Sequence, residues 1–417
     1  MLEIPNRDRI DAEIAIPGSK SITNRALVIG ALAEGETRLT NWLDCEDTSV
    51  MIDCLGRLGF AVSPEGEALK IIGRAGTVPR ERAALWTENS GTTMRFLTGL
   101  SALGRGEYTL DGTPRMRRRP IGDLLEGLRA LGVNVRSLRD DGCPPVIVRA
   151  DGLEGGTCEL SGEISSQFLS AILMSAPYAR REVTIRVRGE LVSRPYVNMT
   201  LRMMADFGVE IGEKEPAVFS ITPGQTYRGR DYPVEGDASS ASYFLAAAGI
   251  TGGRVKVLNV GEDSIQGDAG FARILERMGA EVRNGPDWTE VSGPLIRGIK
   301  TDLNDMPDMV PTLAVAALFT PGRTVINNVA NLRHKESDRL AAMAAELTKI
   351  GARVEELPDG LIVEWGELRG AEIETYNDHR IAMAFALAGL RIPGIRIGNP
   401  GCVAKTFPAF FDAFLAL

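Results

Sequence analysis

Residues 115–119 read RMRRR, so four of five consecutive residues are arginine. The surrounding chain is acidic, with 47 Lys and Arg against 55 Asp and Glu and a pI near 5.2. Guanidinium groups bind phosphate and carboxylate oxygens, so the run could meet a nucleic-acid backbone, a small phosphorylated molecule or only water. A dedicated nucleic-acid binder usually has a basic face and a high pI. The acidic balance therefore disfavours nucleic acid as a partner.

Other polar residues gather where apolar helices are predicted to begin. The stretches are GSKSITNR with Lys20 and Arg25, ENSGTTMR with Asn89 and Arg95, ISSQ with Gln167, and NDHR with His379 and Arg380. Ser, Asn and Asp are ordinary helix-capping residues, so capping alone explains any single one of them. The added cations and amides exceed what a cap needs, and the first turn of a helix favours anions.

A second set of predicted helices begins beside cations. Arg119 precedes Pro120, which suits the first position of a helix, and Lys335 and Lys405 occupy similar places. A cation at a helix N-terminus opposes the helix dipole by about 0.3–1 kcal/mol. Folding gives no reason for this placement, and a bound anion would offset its cost. We therefore predict a phosphate-binding site built from several helix starts.

Several other functions are disfavoured. The chain has no Walker A sequence and no GxGxxG after a strand, and its five cysteines and two histidines show no metal-ligand spacing. We expect no metal and no cofactor. The apolar runs at 309–319 and 381–390 are shorter than a membrane span of about 18 residues, and the N-terminus is charged from Glu3. We expect a cytoplasmic protein that does not bind membranes and keeps its thiols reduced.

A period of about 72 residues organises the chain. Helix-like runs end in a glycine that is followed by a strand pattern, and these glycines are separated by 73, 76, 71 and 72 residues: Gly59, Gly132, Gly208, Gly279 and Gly351. Each suits a left-handed position that closes a helix. The pattern predicts an α/β fold of six helix–strand–helix–strand repeats, with buried first helices such as ASYFLAAAGI. The sixth repeat ends with the last helix, FPAFFDAFLAL, and we expect the N-terminal strand to complete it.

Six repeats divide evenly into two domains. The Gly- and Pro-rich stretch 221–237 is the best linker near the middle of the chain. We predict one domain at 20–235 and a second at 1–19 plus 236–417, with hinges near 19–20 and 235–236.

The motifs together resemble the 5-enolpyruvylshikimate-3-phosphate synthase (3-phosphoshikimate 1-carboxyvinyltransferase) family. The matching strings are PGSKSITNRAL, NSGTTMRF, DGTPRMRRRPIGDLL, SSQFLSAILMSAP, LVSRPYV, EGDASSASYFLAAA, KESDRL, YNDHRIAMAFALA and CVAKTFPAFF. The resemblance implies two domains of three repeats that close over a cleft. It implies transfer of the enolpyruvyl group of phosphoenolpyruvate (PEP) to the 5-hydroxyl of shikimate 3-phosphate, with phosphate released through a tetrahedral intermediate. These small molecules would be the partners of a monomeric enzyme.

The resemblance also implies which residues bind each substrate. For shikimate 3-phosphate these are Lys20, Ser21, Arg25, Ser165, Ser166, Gln167, Ser193, Asp308, Asn331 and Lys335. For PEP they are Lys20, Asn89, Gly91, Arg119, Gln167, Arg339, Arg380 and Lys405. Asp308 takes the role of general base toward the 5-hydroxyl, which is reasonable because neighbouring cations keep a carboxylate ionised.

The residues do not decide which acid protonates the PEP methylene. Glu336 is a candidate, but it is flanked by Lys335 and Arg339, which would lower its pKa. Lys20 and Lys405 compete with it, since crowded cations lower a lysine pKa.

Four residues depart from the common family pattern. Glu88 stands where glycine is expected, and Phe96 stands where many members have proline. Leu332 and His334 replace the more frequent Trp and Val. These departures bear on substrate affinity and on glyphosate sensitivity.

Two alternatives remain at this stage. A sister enzyme that transfers enolpyruvyl to UDP-N-acetylglucosamine shares the fold, but it usually has a reactive cysteine in the loop that corresponds to 111–120, which here contains none. A non-catalytic phosphate-binding protein on the same scaffold would gain nothing from Asp308 and Glu336 among its cations. We therefore favour the shikimate 3-phosphate reaction.

Overall fold

A computed structural model describes residues 1–417, apart from the side chain of Lys214. The chain divides into two compact units. Residues 18–234 form one, here called the continuous unit. Residues 1–17 and 235–417 form the other, here called the interrupted unit. No helix in the described part of the chain has the length and apolar composition needed to span a membrane.

Twelve α-helices follow one another along the described chain, in pairs of a buried and a half-buried helix. In chain order they are α1 Lys20–Leu32, α2 Glu46–Arg57, α3 Gly91–Ser101, α4 Gly122–Ala130, α5 Ser166–Ser175, α6 Arg194–Asp206, α7 Ala238–Thr251, α8 Phe271–Arg277, α9 Val310–Ala316, α10 Arg339–Lys349, α11 His379–Gly389 and α12 Phe410–Leu415.

Short strands separate the helices. In chain order they are β1 Leu2–Glu3, β2 Asp11–Ala15, β3 Glu36–Thr40, β4 Ala61–Glu65, β5 Ala68–Ile72, β6 Arg82–Trp86, β7 Arg105–Asp111, β8 Asn134–Ser137, β9 Val146–Asp151, β10 Gly156–Ser161, β11 Val183–Arg188, β12 Gly212–Glu215, β13 Val218–Ile221, β14 Asp231–Pro233, β15 Arg254–Leu258, β16 Glu281–Asn284, β17 Trp288–Ser292, β18 Lys300–Asp302, β19 Arg323–Asn327, β20 Arg353–Leu357, β21 Gly360–Glu364, β22 Glu372–Ile373 and β23 Arg396–Ile397.

Each unit contains three small sheets, and the predicted α/β class is confirmed. The continuous unit has the strand orders β14-β3-β5-β4, β6-β7-β9-β8 and β10-β11-β13-β12. The interrupted unit has β2-β15-β17-β16, β18-β19-β21-β20 and β1-β23-β22. In every four-stranded sheet the edge strand on one side is parallel to its neighbour, and the other two strands form an antiparallel hairpin.

The six-fold repeat is confirmed, but the predicted repeat lacked strands. A full repeat has a helix, a strand and a second helix, followed by a hairpin and one edge strand. The strand predicted after each glycine is the outer strand of the hairpin, such as β4 after Gly59. The inner strand and the edge strand, such as β5 and β6, were not predicted. The sixth sheet is completed by the N-terminal strand, as predicted, since β1 pairs antiparallel with β23.

The first helix of each repeat is buried, as the sequence predicts. All fourteen residues of α7 are buried, and α7, α9 and α11 pack against one another in the interrupted unit. The second helices are amphipathic. In α10, the buried residues recur with helical spacing from Arg339 to Leu347.

The five glycines that set the period all have positive φ, from 88° to 110°. They end the second helices of the first five repeats, which confirms their predicted role. An L-residue with a side chain is strained in this region, so glycine is the residue that ends a helix there without cost.

Candidate active site

The interrupted unit gathers four predicted residues around the carboxylate of a fifth, Asp308. Asp308 lies in a 3₁₀ turn, Pro307–Met309, immediately before α9. Its Oδ1 accepts a hydrogen bond from Arg339 Nη1 at 2.9 Å and lies 3.5 Å from Lys335 Nζ. Its Oδ2 accepts from Arg380 Nη2 at 2.8 Å. Glu336 joins the group by accepting from Arg339 Nη2 at 2.8 Å. We call these residues the Asp308 cluster.

Electrostatics keep Asp308 ionised. Burial alone would raise the pKa of its carboxyl, but the charges of Arg380, Lys335 and Arg339 outweigh burial and hold the pKa well below its usual range. Burial lowers the pKa of Lys335. It also raises the pKa of the nearby Tyr243 hydroxyl to about 12, against the opposing charge of Arg380.

A further carboxylate, that of Asp378, is hydrogen-bonded to two residues of the cluster. Asp378 is the N-cap of α11, and it accepts hydrogen bonds from Arg339 as well as from the backbone N–H of Arg380. The sequence analysis treated this residue only as a helix start. The next residue, His379, is buried, whereas the other histidine, His334, is exposed.

Two predicted residues lie in turns beside this cluster. Asn331 is buried in the 3₁₀ turn Ala330–His334, four residues before Lys335, and its Oδ1 has no hydrogen-bond partner. Lys405 is buried at the end of the 3₁₀ turn Pro400–Lys405, which packs against α11.

In the continuous unit, Arg119 and Asn89 meet at the start of α3. Arg119 Nη1 donates to the backbone oxygen of Asn89 at 2.9 Å and to its Oδ1 at 3.3 Å. A Cβ on Gly91 would lie 2.6 Å from Arg119 Nη2 and 2.3 Å from Arg95 Nη1. Any side chain at this position would displace the two guanidinium groups that pack over its backbone.

Arg95 was expected among the polar residues at helix starts, but the motifs gave it no substrate to bind. Its Nη1 donates to Gln167 Oε1 at 2.8 Å, and Gln167 Nε2 donates to Thr92 Oγ1 at 3.3 Å. These two bonds fix the orientation of the Gln167 amide, with Oε1 toward Arg95 and Nε2 toward Thr92. Arg95 is the one charged residue of α3, a helix that is buried throughout.

The serine motifs have different structural roles. Ser165 caps α5, because its hydroxyl accepts from the N–H of Gln167 at 3.3 Å, and Ser166 is the first residue of that helix. Ser193 precedes α6 with φ 55° and makes no side-chain cap. A non-glycine residue in this left-handed conformation costs about 1–2 kcal/mol, and such strain is concentrated at functional positions.

Lys20 and Arg25 both belong to α1. Lys20 Nζ lies 3.0 Å from the buried Asp47 carboxylate. Arg25 is buried and donates to the Ser21 backbone oxygen and to two groups of α6, among them Thr200 Oγ1 at 2.8 Å. Arg25 therefore joins α1 to α6 with two of its five N–H groups.

The RMRRR run separates into residues with different surroundings. Met116–Arg118 forms a 3₁₀ turn and α4 begins only at Gly122, so the predicted helix start at Pro120 is wrong by two residues. Arg119 is extended and buried, Arg118 is exposed, and Arg117 makes two hydrogen bonds to the Asp111 carboxylate.

The family departures also have structural reasons. Glu88 has φ 48°, which explains why glycine suits this position. The Phe96 ring lies 5.2 Å from the Arg25 guanidinium carbon, so it supports that arginine by a cation–π contact. Leu332 is buried.

Comparisons with known proteins agree on one family. The sequence model of EPSP synthase (3-phosphoshikimate 1-carboxyvinyltransferase) matches residues 4–414. A 3-phosphoshikimate 1-carboxyvinyltransferase from Nostoc punctiforme is 47% identical over 420 residues, which cover 100% of this chain and 99% of that protein. One from Shewanella baltica is 49% identical over 414 residues, with 98% and 97% covered. A solved EPSP synthase from Acinetobacter baumannii has a TM-score of 0.81 and 30% identity, and the match covers 99% of this chain and 96% of that one.

Proposed function

The chain belongs to the EPSP synthase (3-phosphoshikimate 1-carboxyvinyltransferase) family. We propose which of its residues carry out the family's reaction, and how. The reaction is the transfer of the enolpyruvyl group of PEP to shikimate 3-phosphate, a step of the shikimate pathway toward aromatic compounds. Its substrates are two small phosphorylated molecules. That chemistry accounts for the buried cations of an otherwise acidic protein.

Asp308 is the general base. The single observation that supports this role is the Asp308 cluster, in which a mostly buried carboxylate is kept ionised by Arg339, Arg380 and Lys335. In the addition step the 5-hydroxyl oxygen of shikimate 3-phosphate attacks C2 of PEP, and Asp308 takes the hydroxyl proton. A second group delivers a proton to the PEP methylene carbon. Loss of phosphate, together with one proton from the new methyl group, then gives the enolpyruvyl product.

The proposed PEP ligands are those that family membership implies, taken for each unit by itself. Arg339, Arg380 and Lys405 contribute from the interrupted unit. Lys20, Asn89, Gly91, Arg119 and Gln167 contribute from the continuous unit. The contacts of Arg119 and Gln167 support this proposal, because Asn89 and Arg95 already hold these side chains in fixed orientations. A preorganised guanidinium loses little entropy when it binds an anion.

Shikimate 3-phosphate is bound chiefly by hydroxyl and amide groups at helix starts. The proposed ligands are Lys20, Ser21, Arg25, Ser165, Ser166, Gln167 and Ser193, together with Asp308, Asn331 and Lys335. Two observations support this proposal. Ser193 has a strained backbone that no cap hydrogen bond accounts for. The buried Oδ1 of Asn331 has no hydrogen-bond partner in the protein, so a substrate hydroxyl could supply one.

Glu336, Lys20 and Lys405 are the candidates for the group that protonates the PEP methylene. The variants Glu336→Gln, Lys20→Met and Lys405→Met test these candidates one at a time. In D₂O, an enzyme that protonates this carbon reversibly incorporates deuterium into the methylene of recovered PEP when shikimate 3-phosphate is present. The variant that keeps PEP binding but loses this incorporation identifies the acid.

The overall reaction is tested by phosphate release. Purified protein given PEP and shikimate 3-phosphate should release inorganic phosphate, and Asp308→Ala should nearly abolish this release. Release that needed UDP-N-acetylglucosamine instead of shikimate 3-phosphate would assign the alternative transferase activity. Binding of PEP without phosphate release under either condition would indicate a non-catalytic phosphate-binding protein.

We also propose that the enzyme is a monomer of the cytoplasm that needs no cofactor. Sedimentation at micromolar concentration should give the mass of one chain, 44.9 kDa. Phosphate release should be the same before and after dialysis against EDTA.

A further inference from the structure

Asp378 makes more contacts than a helix cap requires. Its Oδ1 accepts from the Arg380 backbone N–H at 3.0 Å, which is the capping bond of α11, and also from Arg339 Nη2 at 3.2 Å. Its Oδ2 accepts from Arg339 Nε at 2.9 Å and from Ser337 Oγ at 2.9 Å. The carboxylate is fully buried. It therefore faces protein on all sides and does not contact a substrate.

These bonds fix the orientation of Arg339. Four of its five N–H groups are engaged, because Nε binds Asp378, Nη2 binds both Asp378 and Glu336, and one N–H of Nη1 binds Asp308. Only Nη1 has a remaining N–H to offer an anion. Without the two bonds to Asp378, only Glu336 and Asp308 would hold the guanidinium, and its orientation would no longer be fixed.

The same carboxylate also positions Arg380. The capping bond sets the first turn of α11, and Arg380 is the second residue of that helix. A short capping side chain limits where this turn can begin, so the Arg380 side chain leaves the helix from a fixed point.

We infer that Asp378 is a positioning residue that orients Arg339 and Arg380 for PEP. The inference rests on the proposed function, because it takes these two arginines as PEP ligands. A buried carboxylate that served only as a charge would oppose an incoming anion, and its removal would tighten PEP binding. Positioning predicts the opposite result.

The decisive variant is Asp378→Asn. An asparagine Oδ1 can keep both the α11 cap and the bond from Arg339 Nη2. Its amide NH₂ then stands where Oδ2 stood. The Ser337 hydroxyl can turn to accept from it, but Arg339 Nε is a donor and cannot. The variant therefore breaks the Arg339 Nε bond selectively.

We expect KM for PEP to rise about tenfold to a hundredfold, as for the loss of a hydrogen bond between charged groups. We expect kcat and KM for shikimate 3-phosphate to change by less than about threefold, because binding that is equal in ground and transition states affects KM alone. The matched control is Asp302→Asn, which removes the charge of an exposed carboxylate in the same unit that does not contact Arg339 or Arg380. Its kinetics should equal those of the wild type.

Ser337→Ala is the milder second variant. It removes one hydrogen bond to Asp378 Oδ2 and keeps the charge, so it decides the matter if Asp378→Asn does not fold. We expect a rise of about threefold in KM for PEP with KM for shikimate 3-phosphate unchanged.

Three results would overturn the inference: an unchanged KM for PEP in both variants, tighter PEP binding in Asp378→Asn, or parallel rises in both KM values. An inactive wild type would instead contradict the proposed function. The two failures are therefore distinguishable.

Discussion

Replacement of Asp308 by asparagine should separate PEP binding from turnover. In the structure the Asp308 carboxylate occupies the N–H groups of Arg339 and Arg380 that an anion would use. Asparagine has nearly the same shape but no charge and no basicity. The variant should therefore lose catalysis and bind phosphate more tightly than the wild type.

The magnitudes follow from the charges of the cluster. At rest, Asp308, Glu336 and Asp378 balance the three cations, Lys335, Arg339 and Arg380. Loss of the Asp308 charge leaves an excess of one positive charge. A unit charge about 4 Å away contributes about 4 kcal/mol at an effective dielectric constant near 20. A third of this value already corresponds to about tenfold tighter binding of inorganic phosphate. Loss of a general base lowers kcat by about a hundredfold to ten-thousandfold.

The assay has two arms. Isothermal titration calorimetry measures the dissociation constant of inorganic phosphate, and the phosphate-release assay measures kcat. The matched control is Asp302→Asn, which removes an exposed carboxylate from the same unit without touching the cluster. Weaker phosphate binding in Asp308→Asn would refute the reasoning, because it would mean that Asp308 organises the two arginines for the anion. Wild-type turnover in that variant would refute its role as the base.

The pH dependence of stability gives a third check on Asp308. Folding lowers the pKa of this carboxyl, so its stabilising effect is fully present above the unfolded pKa of about 3.9 and is lost as the pH falls toward the folded pKa. Breaking a buried ion pair by removing one partner costs about 3–5 kcal/mol. The difference in unfolding free energy between wild type and Asp308→Asn should therefore be about 3 kcal/mol at pH 7 and smaller below pH 4, as measured by urea denaturation. A difference that grew on acidification would contradict the ion-pair account.

Two further predictions concern the continuous unit. Gly91→Ala should raise KM for PEP by about tenfold, because the added methyl group displaces Arg119, whereas Gly56→Ala, in an open position of α2, should leave the kinetics unchanged. Arg119→Ala should raise KM for PEP by about a hundredfold, while Arg117→Ala, which loses only a half-exposed ion pair, should change it less than about twofold. Similar effects of the two arginine replacements in the phosphate-release assay would indicate that the RMRRR run acts as a diffuse patch.

The repeat could be predicted from sequence because its markers are set by local backbone sterics. A helix that must end in the left-handed region requires glycine, and this requirement is visible wherever the helix lies in the chain. The inner strand β5 and the edge strand β6 follow no helix-ending glycine, so no local marker showed where they begin.

Site residues that belong to a recognisable motif could be predicted from the sequence. Arg119 and Asp308 were expected from their motifs, whereas the roles of their supporting residues depend on contacts between distant segments. Asp378 receives bonds from residues 39 and 41 positions earlier, and Arg95 bonds to a residue 72 positions later. Local sequence around Asp378 indicated only a cap, because its second carboxylate oxygen accepts only from the distant Ser337 and Arg339.

The discontinuity of the interrupted unit bears on how the protein folds during synthesis. Residues 18–234 leave the ribosome as one block whose three sheets contain all their own strands. The segment 1–17 emerges first, yet β2 must wait for β15 and β1 must wait for β23, almost 400 residues later. The nascent chain therefore holds β2 unpaired until residue 258 has been synthesised, and β1 unpaired until residue 397 has been synthesised. Since closing such a long loop is slow, the final docking of β1 is expected to be a late step of folding.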